Sequence, residues 1–82
     1  MSKYDPLLDC LARSSQPAEM SFADISELIG GLPPTAYRRL QWWSNNSNGH
    51  VQARAWLDVG RRVESVDFSN LRVRFSSVQP PD

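Results

Sequence analysis

Leu71-Arg72-Val73-Arg74-Phe75 alternates strictly, apolar and arginine, over five residues. A period of two is the signature of a strand with one face on a core. Upstream, Arg61-Arg62-Val63-Glu64-Ser65-Val66-Asp67-Phe68 is β-prone and mostly alternating. Asp67-Phe68-Ser69-Asn70 is a turn by composition. The C-terminal part therefore reads as a two-stranded β-hairpin. A lone hairpin is marginal in water, so Leu71, Val73 and Phe75 are expected to pack on helices.

The helices lie upstream. Tyr4, Leu7, Leu8 and Leu11 follow i, i+3, i+4, i+7 spacing, which predicts a first helix over 4–12 with Asp5 as cap and Pro6 at the first helical position. Ser14-Ser15-Gln16-Pro17 ends it in a loop. Ser21-Phe22-Ala23-Asp24 resembles a capping box and opens a second helix with Phe22, Ile25, Leu28 and Ile29 on its apolar face. Gly30-Gly31 ends that helix. Pro34 opens a short third helix that runs through Arg38 and Arg39 toward Trp42. Ser44–Gly49 is a polar loop. His50–Val59 is a last helix, with Val51, Ala55 and Trp56 inward and Gly60 as terminator. The expected fold class is α+β: three or four short helices followed by a C-terminal two-stranded hairpin, with a winged helix-turn-helix as one variant. Residues 1–76 form one compact domain and 77–82 a flexible tail.

Leu40-Gln41-Trp42-Trp43-Ser44-Asn45-Asn46 is the richest stretch for function. Neighbours on a helix diverge by about 100° and on a strand by half a turn, so one indole is expected to pack and the other to reach a surface. Around it stand Arg38, Arg39 and the loop asparagines. Arginine forks suit phosphate, amides suit base edges, and an exposed ring can stack on a base. The opposing reading places Trp42, Trp43 and Trp56 all in the core, with arginines solvated or paired to acids.

The 82 residues carry no net charge, but unevenly. Residues 1–36 hold Lys3 and Arg13 against Asp5, Asp9, Glu19, Asp24 and Glu27, a net −3. Residues 37–74 hold seven arginines against Asp58, Glu64 and Asp67, a net +4. A single cysteine, Cys10, excludes an internal disulfide and fits a cytoplasmic setting. One cysteine and one histidine argue against structural zinc. No apolar run is long enough for a membrane span, and no secretory leader is legible. The chain has no phosphate-binding GxxxxGK loop, no HExxH, and no motif joining Cys10 to His50, so no enzyme and no cofactor are expected.

Several fragments stand together: Tyr4-Asp5-Pro6-Leu7, Ser21-Phe22-Ala23-Asp24-Ile25, Leu32-Pro33-Pro34-Thr35-Ala36, Trp42-Trp43-Ser44-Asn45 and Gln52-Ala53-Arg54-Ala55-Trp56-Leu57. In this the chain resembles a family of small bacterial domains of unknown function, over roughly residues 4 to 75. The resemblance implies a bacterial or phage origin and a compact helical domain closed by a short hairpin. It implies no activity and no catalytic residue.

The leading expectation is non-catalytic nucleic-acid binding, to DNA first, in a regulatory or defence-linked role. Its residues are Arg38, Arg39, Arg54, Arg61 and Arg62 on phosphates, Trp43 as stacking ring, Asn45, Asn46 and Gln52 on base edges, and His50 beside them. The competing expectation is a protein-interaction or dimerisation module, homodimeric in its simplest form, using the same Trp/Arg surface.

Overall fold

The structure is a computed structural model that describes residues 2–46 and 48–78. Its regular elements are helix α1 (Asp5–Leu11), strand β1 (Ala18–Ser21), helix α2 (Phe22–Ile29), helix α3 (Arg54–Leu57) and strands β2 (Val63–Asp67) and β3 (Arg72–Phe75). Three 3₁₀ turns, Pro34–Tyr37, Leu40–Trp43 and Val51–Ala53, occupy the stretch between α2 and α3. The class is α+β, with three helices and a three-stranded antiparallel sheet of order β1-β3-β2.

α1 begins at Asp5, whose carboxylate accepts from the Ser2 amide at 3.2 Å, and Pro6 sits in its first turn. Leu7 and Leu11 are its buried residues, with Tyr4 and Leu8 half-buried beside them. α2 begins where the capping signal places it: Ser21 Oγ accepts from the Asp24 amide at 3.0 Å. Gly30, at φ 79°, ends it in the left-handed conformation that a Cβ disfavours.

β3 is the central strand. Val73 and Phe75 are buried against the helices, while Arg72 and Arg74 stand on the opposite, exposed face. The alternation that opened the sequence reading is thus a one-sided sheet. Both arginines find carboxylates on neighbouring strands: Arg72 reaches Glu19 of β1 at 2.5 Å and Arg74 reaches Glu64 of β2 at 3.2 Å. Register explains the second pair. Val63 faces Phe75 and Ser65 faces Arg74, so Glu64 is the extra residue of a β-bulge.

Four elements differ from the sequence expectation. β1 was not anticipated: Ala18–Ser21 becomes a strand because β3 offers it a partner, with Ala18 opposite Phe75 and Met20 opposite Val73. The single third helix is instead two 3₁₀ turns separated at Arg38 and Arg39, where the backbone becomes extended (Arg39 φ −120°, ψ 119°). The last helix is a 3₁₀ turn running into the one-turn α3, and it stops before Gly60 (φ 78°). Leu71 does not belong to the core face. It lies in the turn before β3 at φ 54° and is exposed.

That break in the third helix settles the tryptophans. A 3₁₀ turn has about three residues per turn, so Trp42 and Trp43 leave the backbone about 120° apart, yet their rings meet edge to face with centroids 4.6 Å apart. Both are nevertheless buried, because different elements receive them. The Trp42 ring lies 6.4 Å from Tyr4 beside α1, whereas Trp43 stacks on Phe22 of α2 at 5.1 Å and on Trp56 of α3 at 6.1 Å. Phe75 continues the chain of rings at 5.6 Å from Trp56. The Leu40–Trp43 turn therefore sends both tryptophans into the core while Leu40 and Gln41 stay exposed. Of the expected tail, residues 79–82 lie outside the described residues; Val78 donates its amide to the Ser15 carbonyl at 3.0 Å. Among the described residues no helix is long and apolar enough to cross a membrane.

Candidate nucleic-acid interface

Four of the residues expected to touch nucleic acid have internal partners instead. The outward Trp43 is a correction: the indole is 2% exposed and its Nε1 donates to the Ala36 carbonyl at 2.9 Å. Gln52, also buried, donates from Nε2 to the Trp42 carbonyl at 2.8 Å, so its amide holds the backbone of the tryptophan turn. Asn45 clasps the start of β2. Its Oδ1 accepts from the Val63 amide at 2.7 Å and from Trp56 Nε1 at 3.1 Å, and its Nδ2 donates to the Val63 carbonyl at 2.9 Å.

Arg61 is the largest departure. It is 1% exposed, and its guanidinium meets only backbone carbonyls: Nε donates to Leu11 at 3.0 Å, Nη1 to Gln16 at 2.6 Å and to Ser76 at 2.7 Å, and Nη2 to Ser14. Arginine supplies several donors in one plane, which fits a ring of carbonyls as well as it fits a phosphate. The α1 C-terminus, the loop after it and the end of β3 are tied together there.

Of the remaining expected residues, Asn46 and Arg62 each adjoin the clasp between Asn45 and Val63. Arg54 is exposed on α3 with Asp58 3.7 Å away, one helical turn on. Asn46 is exposed, and its Oδ1 accepts from the Asn48 amide at 2.9 Å. His50 is half-buried just before the last 3₁₀ turn. Arg62 is exposed at the start of β2, where its amide donates to Ser76 Oγ at 3.0 Å. That end of β2 is about 13 Å from the turn that follows Asp67, at the usual rise of a strand.

Arg38 and Arg39 stand apart from these. Both are exposed, neither is ion-paired among the described residues, and both lie between Tyr37 and Leu40, which are also exposed. Leu40, 63% exposed, is the most open large apolar side chain among the described residues. Tyr37 fixes where this segment lies, because its ring packs edge-on against Phe22 at 5.4 Å. Phe68 packs against the same Phe22 at 6.1 Å, and the Leu71 carbonyl accepts from the Phe22 amide at 2.8 Å. Tyr37 and the turn 68–71 thus share Phe22, the first residue of α2, as a packing partner.

The turn is well organised. Asp67 Oδ1 accepts from the Ser69 and Asn70 amides, both at 3.0 Å, and Oδ2 accepts from Asn70 Nδ2 at 2.8 Å. These bonds favour the charged carboxylate, led by the Asn70 side chain, and hold the Asp67 pKa below its ordinary 3.8. Next to it Leu71 keeps a left-handed backbone without being glycine, a conformation that costs on the order of 1 kcal/mol.

Residues 37–40 therefore bring together an exposed aromatic ring, two guanidiniums unpaired among the described residues and an exposed leucine. Tyr37, Phe68 and Leu71 were missing from the sequence reading of the site. Tyr37 did precede the Arg38-Arg39 pair, and that adjacency was the available signal. Among the described residues no group of three histidine, cysteine or acidic side chains is placed to hold a metal ion. No curated protein and no solved structure matches this chain. Residues 4–78 match the family described as Domain of unknown function (DUF7662), and the chain belongs to that family.

Proposed function

We propose that this domain binds nucleic acid, duplex DNA first, without catalysing a reaction on it. The observation carrying the proposal is the joint exposure of Tyr37, Arg38 and Arg39, with both guanidiniums unpaired among the described residues. Arg54, Arg72 and Arg74 each have a carboxylate close by and Arg61 is consumed by carbonyls. Of the exposed arginines without an ion pair among the described residues, Arg13, Arg38, Arg39 and Arg62, the pair Arg38-Arg39 alone is adjacent in sequence and follows an exposed ring. Tyr37 would lie against a sugar or an unstacked base.

The order of elements supports the same reading. Helix, strand, helix, helical segment and two strands, with sheet order β1-β3-β2, is the order of a winged helix-turn-helix. In that analogy β2 and β3 form the hairpin wing and the 68–71 turn is its tip. The analogy concerns fold alone and sets no sequence preference. A cytoplasmic, regulatory or defence-linked role belongs to this proposal.

The test is fluorescence anisotropy with labelled duplex DNA, single-stranded DNA and RNA across a salt series. Two phosphate contacts give a slope of log affinity against log salt of about −1.8 on duplex DNA. Arg38→Ala with Arg39→Ala should remove that much of the slope. No binding to any of the three at low salt, or an unchanged slope in a folded double variant, overturns the proposal. A protein-docking reading draws on a different feature, the openness of Leu40.

A further inference from the structure

The acidic half of the chain carries a groove that DNA binding does not use. Cys10 of α1, Met20 of β1 and Leu28 of α2 line it, and Asp24 and Glu27 of α2 stand at its edge around about 330 Å³. Asp24, Glu27 and Leu28 lie three and four residues apart and so share one side of α2. Asp9 precedes Cys10 on α1. None of Asp9, Asp24 and Glu27 is ion-paired among the described residues. An apolar floor under uncompensated carboxylates calls for an apolar side chain flanked by cations.

Among the described residues, Arg38-Arg39-Leu40 joins an exposed apolar side chain to two cations without an ion pair. It cannot fold into its own groove. Tyr37 is held on Phe22, and Asp24, Glu27 and Leu28 are turned away from Phe22 by roughly 120–160° at about 100° per residue. We propose that the groove between α1 and α2 receives the Arg38–Leu40 segment of a second copy, so that the protein associates head to tail. Leu40 enters over Met20 and Leu28, and Arg38 and Arg39 meet Asp24 and Glu27. The two surfaces differ, so the contact is heterologous and each added copy leaves another groove open. One short segment buries far less than a standard interface, which makes the association weak and salt-sensitive.

This inference stands apart from DNA binding and is tested without nucleic acid. Sedimentation of the full chain should show average mass rising continuously with concentration at low salt and falling back toward monomer at high salt. Reversing the groove rim (Asp24→Lys with Glu27→Lys) should weaken association about tenfold or more. Reversing the segment (Arg38→Glu with Arg39→Glu) should do the same. An equimolar mixture of the two variants restores opposite charges across the contact and should associate where neither does alone. All the substituted side chains are exposed, and circular dichroism confirms that each variant is folded. A wild type that stays monomeric at millimolar concentration overturns the proposal. So does a mass that levels off at a dimer untouched by the rim variant, or a mixture that fails to associate.

Discussion

Removing the Arg61 guanidinium tests most directly how this small domain is held together. Take Arg61→Met, which keeps an unbranched stem and deletes the head. Two of the accepted bonds, to the Leu11 and Ser76 carbonyls, are buried, and those to Ser14 and Gln16 are partly open to water. A buried acceptor left without a donor costs about 1–3 kcal/mol, so the two buried carbonyls cost about 2–6 kcal/mol. Relief from burying a cation works the other way. In a buried ion pair that relief can dominate when both partners are replaced together. Here the partners are backbone carbonyls, which no side-chain substitution removes, so the unsatisfied acceptors win. The expected net loss is about 3 kcal/mol. For a domain of this size, whose total stability is about 4–12 kcal/mol, that lowers Tm by roughly 12–24 °C. Arg61→Lys keeps the charge but not the planar fork, and should lose about half as much. Thermal melts followed by circular dichroism read both numbers. A Met variant melting within about 3 °C of wild type would refute the reasoning, because the carbonyl ring would then be incidental.

Asn45→Ala strips three bonds at once and leaves the Trp56 indole and both Val63 backbone groups without their side-chain partner. Urea denaturation should show a loss of about 2–3 kcal/mol, and a loss under 0.5 kcal/mol would mean that water replaces the clasp freely. Asp67 gives a pH dependence. Its folded pKa is held below 3.8, so the turn's contribution is present above the unfolded value and fades as pH falls through the lowered one. Asp67→Ala should therefore melt lower than wild type at neutral pH, with the gap closing as pH falls through the lowered pKa of Asp67. A gap that persists undiminished in acid would assign the effect to something other than the carboxylate.

What was legible in the sequence was local. The Leu7 and Leu11 stripe, the Ser21 cap, the Gly30 stop and the Val73/Phe75 face follow from periodicity and from the chemistry of helix ends. Contributions from distant parts of the chain were hidden. Ala18–Ser21 has no β-branched or aromatic residue to announce a strand, and only pairing with β3 makes it one. Arg61 and Arg62 are adjacent and chemically identical, yet one is enclosed by four carbonyls and the other is exposed. The tryptophan pair misled for a related reason. Opposed directions imply an exposed ring only when a segment has core on one side, and Leu40–Trp43 has Tyr4 on one flank and Phe22 with Trp56 on another.

Folding leaves the charge asymmetry of the chain largely in place, and both proposals depend on that. Of the acids in the first half, Glu19 alone is ion-paired to the second half among the described residues. Asp58 and Glu64 are used within the second half, on Arg54 and Arg74. Among the described residues, Asp24 and Glu27 stand unpaired at the groove between α1 and α2, while Arg38 and Arg39 stand unpaired after Tyr37, which packs on Phe22. A net charge of zero is thus compatible with two strong local fields, because the sum over the chain says nothing about a single face. The same two arginines serve DNA in one proposal and a neighbouring groove in the other. A phosphate backbone and an acidic rim cannot occupy them together, so each copy bound to DNA withdraws its segment from the head-to-tail contact. The groove keeps its own charges in either state.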